Sequence, residues 1–424
     1  MAMEKSPSGK VKRCRIHDLL HSYCLEKSKQ DNFFTRMNRG EDMLPEKPRN
    51  YRLFIHSYQD EIDLWRPCRS NVRSLLFNVT DPENLLWPRD ISFIFDSFKL
   101  VKVLDLESFN IGGTFPSEVQ SLIHLRYFAV QTDANSIPSF IAKLWNLETF
   151  VVRGLGGEVI LPSSILKMVK LRHLLIKHRA SFSLQENIGK SFANSQLDYL
   201  ETFSTPRLSY GEEAEMILTK MPNLRKLSCI FSGTFSYSEK VKGRCVLFPT
   251  LDFLSHLESL KLVSNSYPAK LPHEFNFPLK LRELTLSKFR LPWSEISIIG
   301  ELRNLEILRL LFRAFEGDQW EVNDSEFPEL KYLNLDNINI SQWSVSDDAF
   351  PKLERLVLTK CKQLEEIPSH FGDAISLKSI EVNRCGWSVA NSALEIQTTQ
   401  HEDMANDAFT VTIQPPDWAR RPSA

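Results

Sequence analysis

The 424-residue sequence predicts an α/β solenoid, in which short parallel strands stack and each returns through an irregular or helical segment. Three observations predict it. The pattern apolar-x-x-apolar-x-apolar recurs from Val72 to Val382, its copies settle on a period of 24 residues, and proline recurs at fixed places between them.

The copies open at Val72, Val101, Leu125, Leu147, Leu171, Leu200, Leu224, Leu257, Leu281, Leu305, Leu330, Leu353 and Leu377. Successive spacings are 29, 24, 22, 24, 29, 24, 33, 24, 24, 25, 23 and 24. Most fall in the window of about 20–29 residues that defines leucine-rich repeats. The alternating apolar residues of one copy make one short strand, with the in-between side chains on the opposite face. A lone strand cannot bury its apolar side, so about 13 repeats must stack into a parallel-sheet horseshoe over residues 72–385. The copy at Leu200 is weaker, because Thr205 takes its third apolar place.

The return segments carry Phe115-Pro116, Ile137-Pro138, Leu161-Pro162, Leu271-Pro272 and Ile367-Pro368. Proline suits a short helical or irregular return, where no ladder hydrogen bond is lost. A second pair precedes strands at Phe248-Pro249, Phe277-Pro278, Phe327-Pro328 and Phe350-Pro351, and its phenylalanines are expected to fill the core between repeats. Cys361 and Cys385 share the slot of Asn265, the Asn/Cys position of the repeat, which marks them as buried turn residues and not as ligands or nucleophiles. The 33-residue spacing reflects an insertion at 231–244, expected as a surface loop. From Gly386 the pattern fails, and residues 386–424 are expected to form an irregular cap and a flexible tail.

Bulk properties set the function classes. A net charge of −1 provides no global field toward nucleic acid, and the polar, basic N-terminus lacks the apolar core of a secretory signal. No apolar run approaches the ~20 residues of a membrane-spanning helix. Seven scattered cysteines do not suggest a disulfide framework. The expected location is cytoplasmic, with the nucleus or the membrane periphery as alternatives.

Ahead of the repeats, residues 15–30 place Ile16, Leu19, Leu20, Tyr23 and Cys24 on one helical face that must pack on something. Residues 32–71 are polar and mixed, as in a linker. CRIHDLLHSYCLEKSKQDNFF, followed by YRLFIHS and NVRSLLF, resembles the junction between nucleotide-binding module and repeats in plant disease-resistance proteins, in particular the late-blight-resistance-like group of the nightshade family. The resemblance runs from about Val11 to about residue 385. It implies that residues 1–31 are the C-terminal end of a winged-helix domain. Ile16-His17-Asp18 would then be the Met-His-Asp motif, with His17 the nucleotide sensor and Asp18 its structural partner. A phosphate loop is missing, since Ser6-Pro7-Ser8-Gly9-Lys10 lacks its first glycine and terminal hydroxyl. No cofactor is therefore expected, and ADP or ATP only in a full-length member.

His17 and His21 are helically spaced as in zinc sites, but no third ligand is near, so no metal is expected. Gly154-x-Gly156-Gly157 follows a strand without a helix signature and is read as a turn. No nucleophile or acid/base pair stands out, which points away from an enzyme. The candidate surface is the concave sheet, where one ladder reads Lys261, Thr285, Arg309, Asn334, Val357 and its neighbour Glu283, Ile307, Tyr332, Arg355, Ser379. An exposed tyrosine and isoleucine between arginines is the expected partner-binding mixture. The expected partner is a protein: a pathogen effector, a guarded host protein, or a nucleotide-binding receptor module. A substrate adaptor of a ubiquitin ligase is the alternative, and it would need an F-box that residues 1–71 do not display.

Overall fold

The computed structural model describes residues 2–5, 11–31, 33–38, 51–57, 71–79, 92–182, 196–210, 212–232, 246–248, 250–265, 269–271 and 275–415. Beyond its first ten residues the chain divides into two compact units, Val11–Arg207 with Lys220–Leu224, and Leu208–Thr219 with Arg225–Ala424.

In the first unit a helix, α1 (Asp18–Gln30), precedes a run of strands. These are β1 (Thr35–Asn38), β2 (Arg52–Ser57), β3 (Ser74–Val79), β4 (Val103–Asn110), β5 (Tyr127–Thr132), β6 (Thr149–Gly154), β7 (His173–Phe182) and β8 (Thr202–Ser209). Each pairs in parallel with the next. The second unit repeats the plan with β9 (Lys226–Ser232), β10 (Ser259–Ser264), β11 (Glu283–Ser287), β12 (Ile307–Leu311), β13 (Tyr332–Asp336), β14 (Arg355–Thr359) and β15 (Ser379–Asn383). It ends on a helix, α2 (Trp387–Glu402), and a strand, β16 (Thr410–Gln414). All of these strands are again parallel and sequentially paired.

The repeat pattern explains the burial. Every opening residue from Val72 to Leu377 is buried, as are the second and third apolar positions. Thr205 is the exception: it is half-buried, sits at φ 56°, and turns its hydroxyl to the Ile176 carbonyl. A polar side chain there breaks the strand's alternation, and the register beside it shifts between Leu175 and Ala180.

The return segments follow their prolines. Pro116, Pro138, Pro162 and Pro368 each immediately precede a short 3-10 helix, at Ser117–Ser121, Ser139–Lys143, Ser163–Lys167 and Ser369–Gly372. A fixed φ and a missing N–H suit the residue that starts such a turn. Pro272 lies outside the described residues. The phenylalanines of the second pair, Phe248, Phe277, Phe327 and Phe350, are all buried, and the rings of Phe327 and Phe350 stack at 4.8 Å.

Beneath the second unit's sheet the indoles of Trp293, Trp320 and Trp343 form a column, with centroid steps of 4.7 and 5.0 Å. Their buried Nε1 atoms have no hydrogen-bond partner. Successive repeats leave their strands through a left-handed residue: Lys288, Phe312, Asn337, Lys360 and Arg384, at φ 49–63°. Interstrand bonds hold these residues there, for example Phe312 N–H to the Asp336 carbonyl at 2.7 Å and Asn337 N–H to the Thr359 carbonyl at 2.8 Å.

From the third copy on, the residue just after the opening position alternates in charge: Arg126, Glu148, Arg172, Glu201, Arg225, Glu258, Arg282, Glu306, Lys331, Glu354, Lys378. Several neighbouring couples in this row meet as ion pairs, including Arg126–Glu148 at 3.6 Å, Arg225–Glu258 at 2.8 Å and Lys378–Glu354 at 2.8 Å.

Three sequence expectations change. The 32–71 linker contains β1 and β2, whose Leu53 and Ile55 are buried in register with Leu75 and Phe77. Of the expected loop at 231–244, Phe231 is a buried residue of β9 packed on Tyr210 at 5.3 Å, and residues 233–244 lie outside the described residues. The expected irregular cap is ordered: α2 buries Val389, Ala390, Ala393 and Ile396, and β16 extends the sheet. Gln400, fully buried, donates through Nε2 to the carbonyls of Gly372 at 2.8 Å and Ala374 at 3.1 Å. Those bonds cap the carbonyls that end the Ser369–Gly372 turn, and the Ala374 carbonyl also accepts the Leu377 N–H at 3.2 Å. Residues 416–424 lie outside the described residues.

Candidate protein-binding face

Strand register builds the face. Glu283 pairs with Ile307, Ile307 with Tyr332, Tyr332 with Arg355 and Arg355 with Ser379. Two residues along, Lys261 pairs with Thr285, Thr285 with Arg309, Arg309 with Asn334, Asn334 with Val357 and Val357 with Glu381. Both ladders of the sequence reading are therefore real rows on one sheet face. Glu381 extends the second, and carrying that row one copy further would have found it.

Exposure along the rows departs from expectation. Ile307 is 1% exposed, Tyr332 4% and Val357 6%, and the three pack as one cluster. The sequence predicts exposed contact residues at Ile307 and Tyr332, and both are buried. Strands about 4.8 Å apart place long neighbours over one another, so larger polar side chains roof the apolar ones. The Arg309 guanidinium lies over the Tyr332 ring at 5.2 Å, and Arg355 is ion-paired with Glu381. Lys261 is exposed, while Glu283, Arg309, Asn334 and Arg355 are half-buried. Burial pushes the Tyr332 hydroxyl above its ordinary range, and the positive charges of Arg309 and Arg355 oppose that shift. Two covered polar atoms here, Asn334 Oδ1 and Arg355 Nε, have no hydrogen-bond partner. The face is thus an apolar patch under a charged roof, with one acceptor and one donor unsatisfied.

The other candidate pair lies in the first unit. His17 is the N-cap of α1, and its Nδ1 accepts the Leu19 N–H at 3.2 Å. Asp18, in the first turn, favours the positive end of the helix dipole. Both are exposed, and α1 buries none of its residues: Leu19 is 77% exposed and Tyr23 61%. The His17 Nδ1 is engaged by that helix cap, and the Asp18 carboxylate places negative charge beside it. Residues 6–10 lie outside the described residues. Among the described residues, no group of three or more His, Cys, Asp or Glu side chains could hold a metal ion. Nor is any helix among them long and apolar enough to cross a membrane.

Stacked parallel strands with leucine-lined cores define a repeat protein, and the family model described as "Leucine-rich repeat region" matches residues 71–408. The chain belongs to that family. Among curated proteins it is 38% identical over 416 residues to the late blight resistance protein homolog R1B-16 of Solanum demissum, covering 96% of this chain and 31% of that protein. It is 38% identical over 425 residues to homolog R1B-23 of the same species, covering 96% of this chain and 32% of the relative. The chain thus spans about a third of the length of the curated relatives it matches. Among solved structures, an internalin from Listeria monocytogenes aligns with a TM-score of 0.45 and 15% identity, over 83% of this chain and 82% of that one.

Proposed function

We propose that this chain is the protein-binding repeat region of an intracellular plant immune receptor, acting in defence against pathogens. It recognises an effector or a guarded host protein and regulates a nucleotide-binding module. The observation that carries the reading is the roofed apolar patch of Ile307, Tyr332 and Val357, with its unsatisfied Asn334 Oδ1 and Arg355 Nε, in a chain so similar to disease-resistance homologs. A buried polar group without a partner costs about 1–3 kcal/mol. A protein surface that displaces the charged roof completes those bonds, recovers part of that cost and takes over the cover of the apolar patch. On this reading ADP or ATP belongs to the module, and His17 and Asp18 meet it only when the module is present.

The test uses the segment of homolog R1B-16 that this chain does not match as bait. Binding to this chain is expected, and Lys261→Glu with Arg309→Glu should weaken it at least about tenfold while circular dichroism stays unchanged. Binding that ignores both substitutions would move recognition off this face. Capture of a Skp1-like protein in place of the bait would favour the ubiquitin-ligase adaptor.

A further inference from the structure

A second concavity lies beyond the sheet face, at the edge where the strands of the second unit end. Asn265, Lys288, Arg290, Phe312, Arg313 and Asn337 line a cavity of about 440 Å³. That volume falls in the ordinary range for small-ligand sites, about 300–1,000 Å³. The three cations are exposed, and so is the Phe312 ring.

The backbone there is already engaged. The N–H groups of Lys288, Arg290 and Arg313 donate to the carbonyls of Leu311 at 3.3 Å, Arg313 at 2.9 Å and Asn337 at 3.1 Å. An anion in this cavity is therefore held by side chains. Arg290 and Arg313 both approach one Glu316 oxygen at 3.7 Å, beyond hydrogen-bond length, and Lys288 has no ion pair among the described residues. Three cations against one carboxylate leave two positive charges. A phosphate monoester carries about −1.5 to −2 at pH 7 and so matches them, whereas a carboxylate leaves one unmatched. Guanidinium forks suit phosphate oxygens, and Phe312 offers a flat face beside them.

We propose that this cavity binds a phosphate monoester carried on an aromatic or apolar body. Lys288, Arg290 and Arg313 take the phosphate, Phe312 takes the body, and Asn265 and Asn337 offer amides at the margin. The site lies outside the two ladders and does not depend on the protein-binding reading.

Calorimetric titration of the full chain with phenyl phosphate, inorganic phosphate and phenylacetate tests it. Phenyl phosphate is expected to bind at least about tenfold tighter than either control, and less tightly as salt rises. The variant Lys288→Asn/Arg313→Asn removes two cations while keeping a residue that tolerates the left-handed backbone, and should weaken binding about tenfold or more. Glu316→Gln removes the competing carboxylate and should tighten binding, a gain that misfolding cannot imitate. A phosphotyrosyl peptide that outbinds phenyl phosphate would assign the source to a modified protein, and equal affinity would assign it to a small molecule. Phenyl phosphate no tighter than the controls, or binding indifferent to the double substitution, would overturn the proposal.

Discussion

The guanidinium of Arg309 covers the ring of Tyr332 from the adjacent strand, its central carbon 5.2 Å from the ring centroid. The ring is 4% exposed, so the tyrosine is the packed member of the pair and the arginine is its cover. Tyr332→Ala should destabilise the second unit by about 3–5 kcal/mol, as large-to-small aromatic substitutions do. Arg309→Ala should cost only about 0.5–1 kcal/mol, the scale of a surface cation–π contact. Urea denaturation of both variants measures the ranking, and the reverse order would show that the ring is not packed as described.

The tryptophan column separates packing from polarity. Trp320→Ala should cost about 3–5 kcal/mol through the cavity it leaves between Trp293 and Trp343. Trp320→Phe should cost much less, under about 1.5 kcal/mol, because it also removes a buried N–H without an acceptor. Equal losses for the two would mean that the orphaned indole nitrogen carries no penalty.

Alkaline stability should report on Tyr210. Burial pushes its hydroxyl up to about 12, against the opposing hydrogen bond with Ser264 at 2.7 Å. The folded value lies above the unfolded one near 10, so the folded state keeps a proton that the unfolded chain loses. The stabilisation is complete below about pH 10 and declines toward pH 12, at no more than about 1.4 kcal/mol per pH unit. Tyr210→Phe has nothing to titrate, so the difference between wild type and variant should shrink over that window. A difference that stays constant from about pH 9 to 11.5 would contradict it.

Thiol reactivity should divide the cysteines by burial. Cys24 is exposed on α1, while Cys229, Cys361 and Cys385 are buried, and all four are free. Burial pushes the Cys229 thiol upward, Cys361 is raised by its hydrogen bond with Cys385 and by burial, and Cys385 is lowered by that same bond but is covered. The reagent needs an accessible thiolate, so iodoacetamide should label Cys24 in the folded chain and the three buried thiols only after unfolding. Residue-resolved mass spectrometry reads the order, and early labelling of Cys361 would show that its turn opens.

The period placed each opening leucine because one burial requirement repeats at one spacing. The ladders followed because parallel register carries that spacing across strands. Exposure was not legible. Alternation says which face Tyr332 and Ile307 occupy, but not that Arg309 and its neighbours lie over them. The C-terminal cap was partly legible: Val389, Ala393, Ile396 and Gln400 share a helical face, a different period from the one being followed. Leu53-x-Ile55 was a readable strand, hidden by its polar surroundings. The cavity beside Lys288 was out of reach, since it depends on left-handed turns from non-glycine residues.

The alternating charges of Arg126 through Lys378 constrain how such an array can change length. Each exposed pair contributes at most about 1 kcal/mol, so the row adds little to overall stability. Loss or duplication of a single repeat places like charges side by side at the junction, whereas loss or duplication of two preserves the alternation. Within this stretch the charge pattern therefore repeats every two copies, not every one.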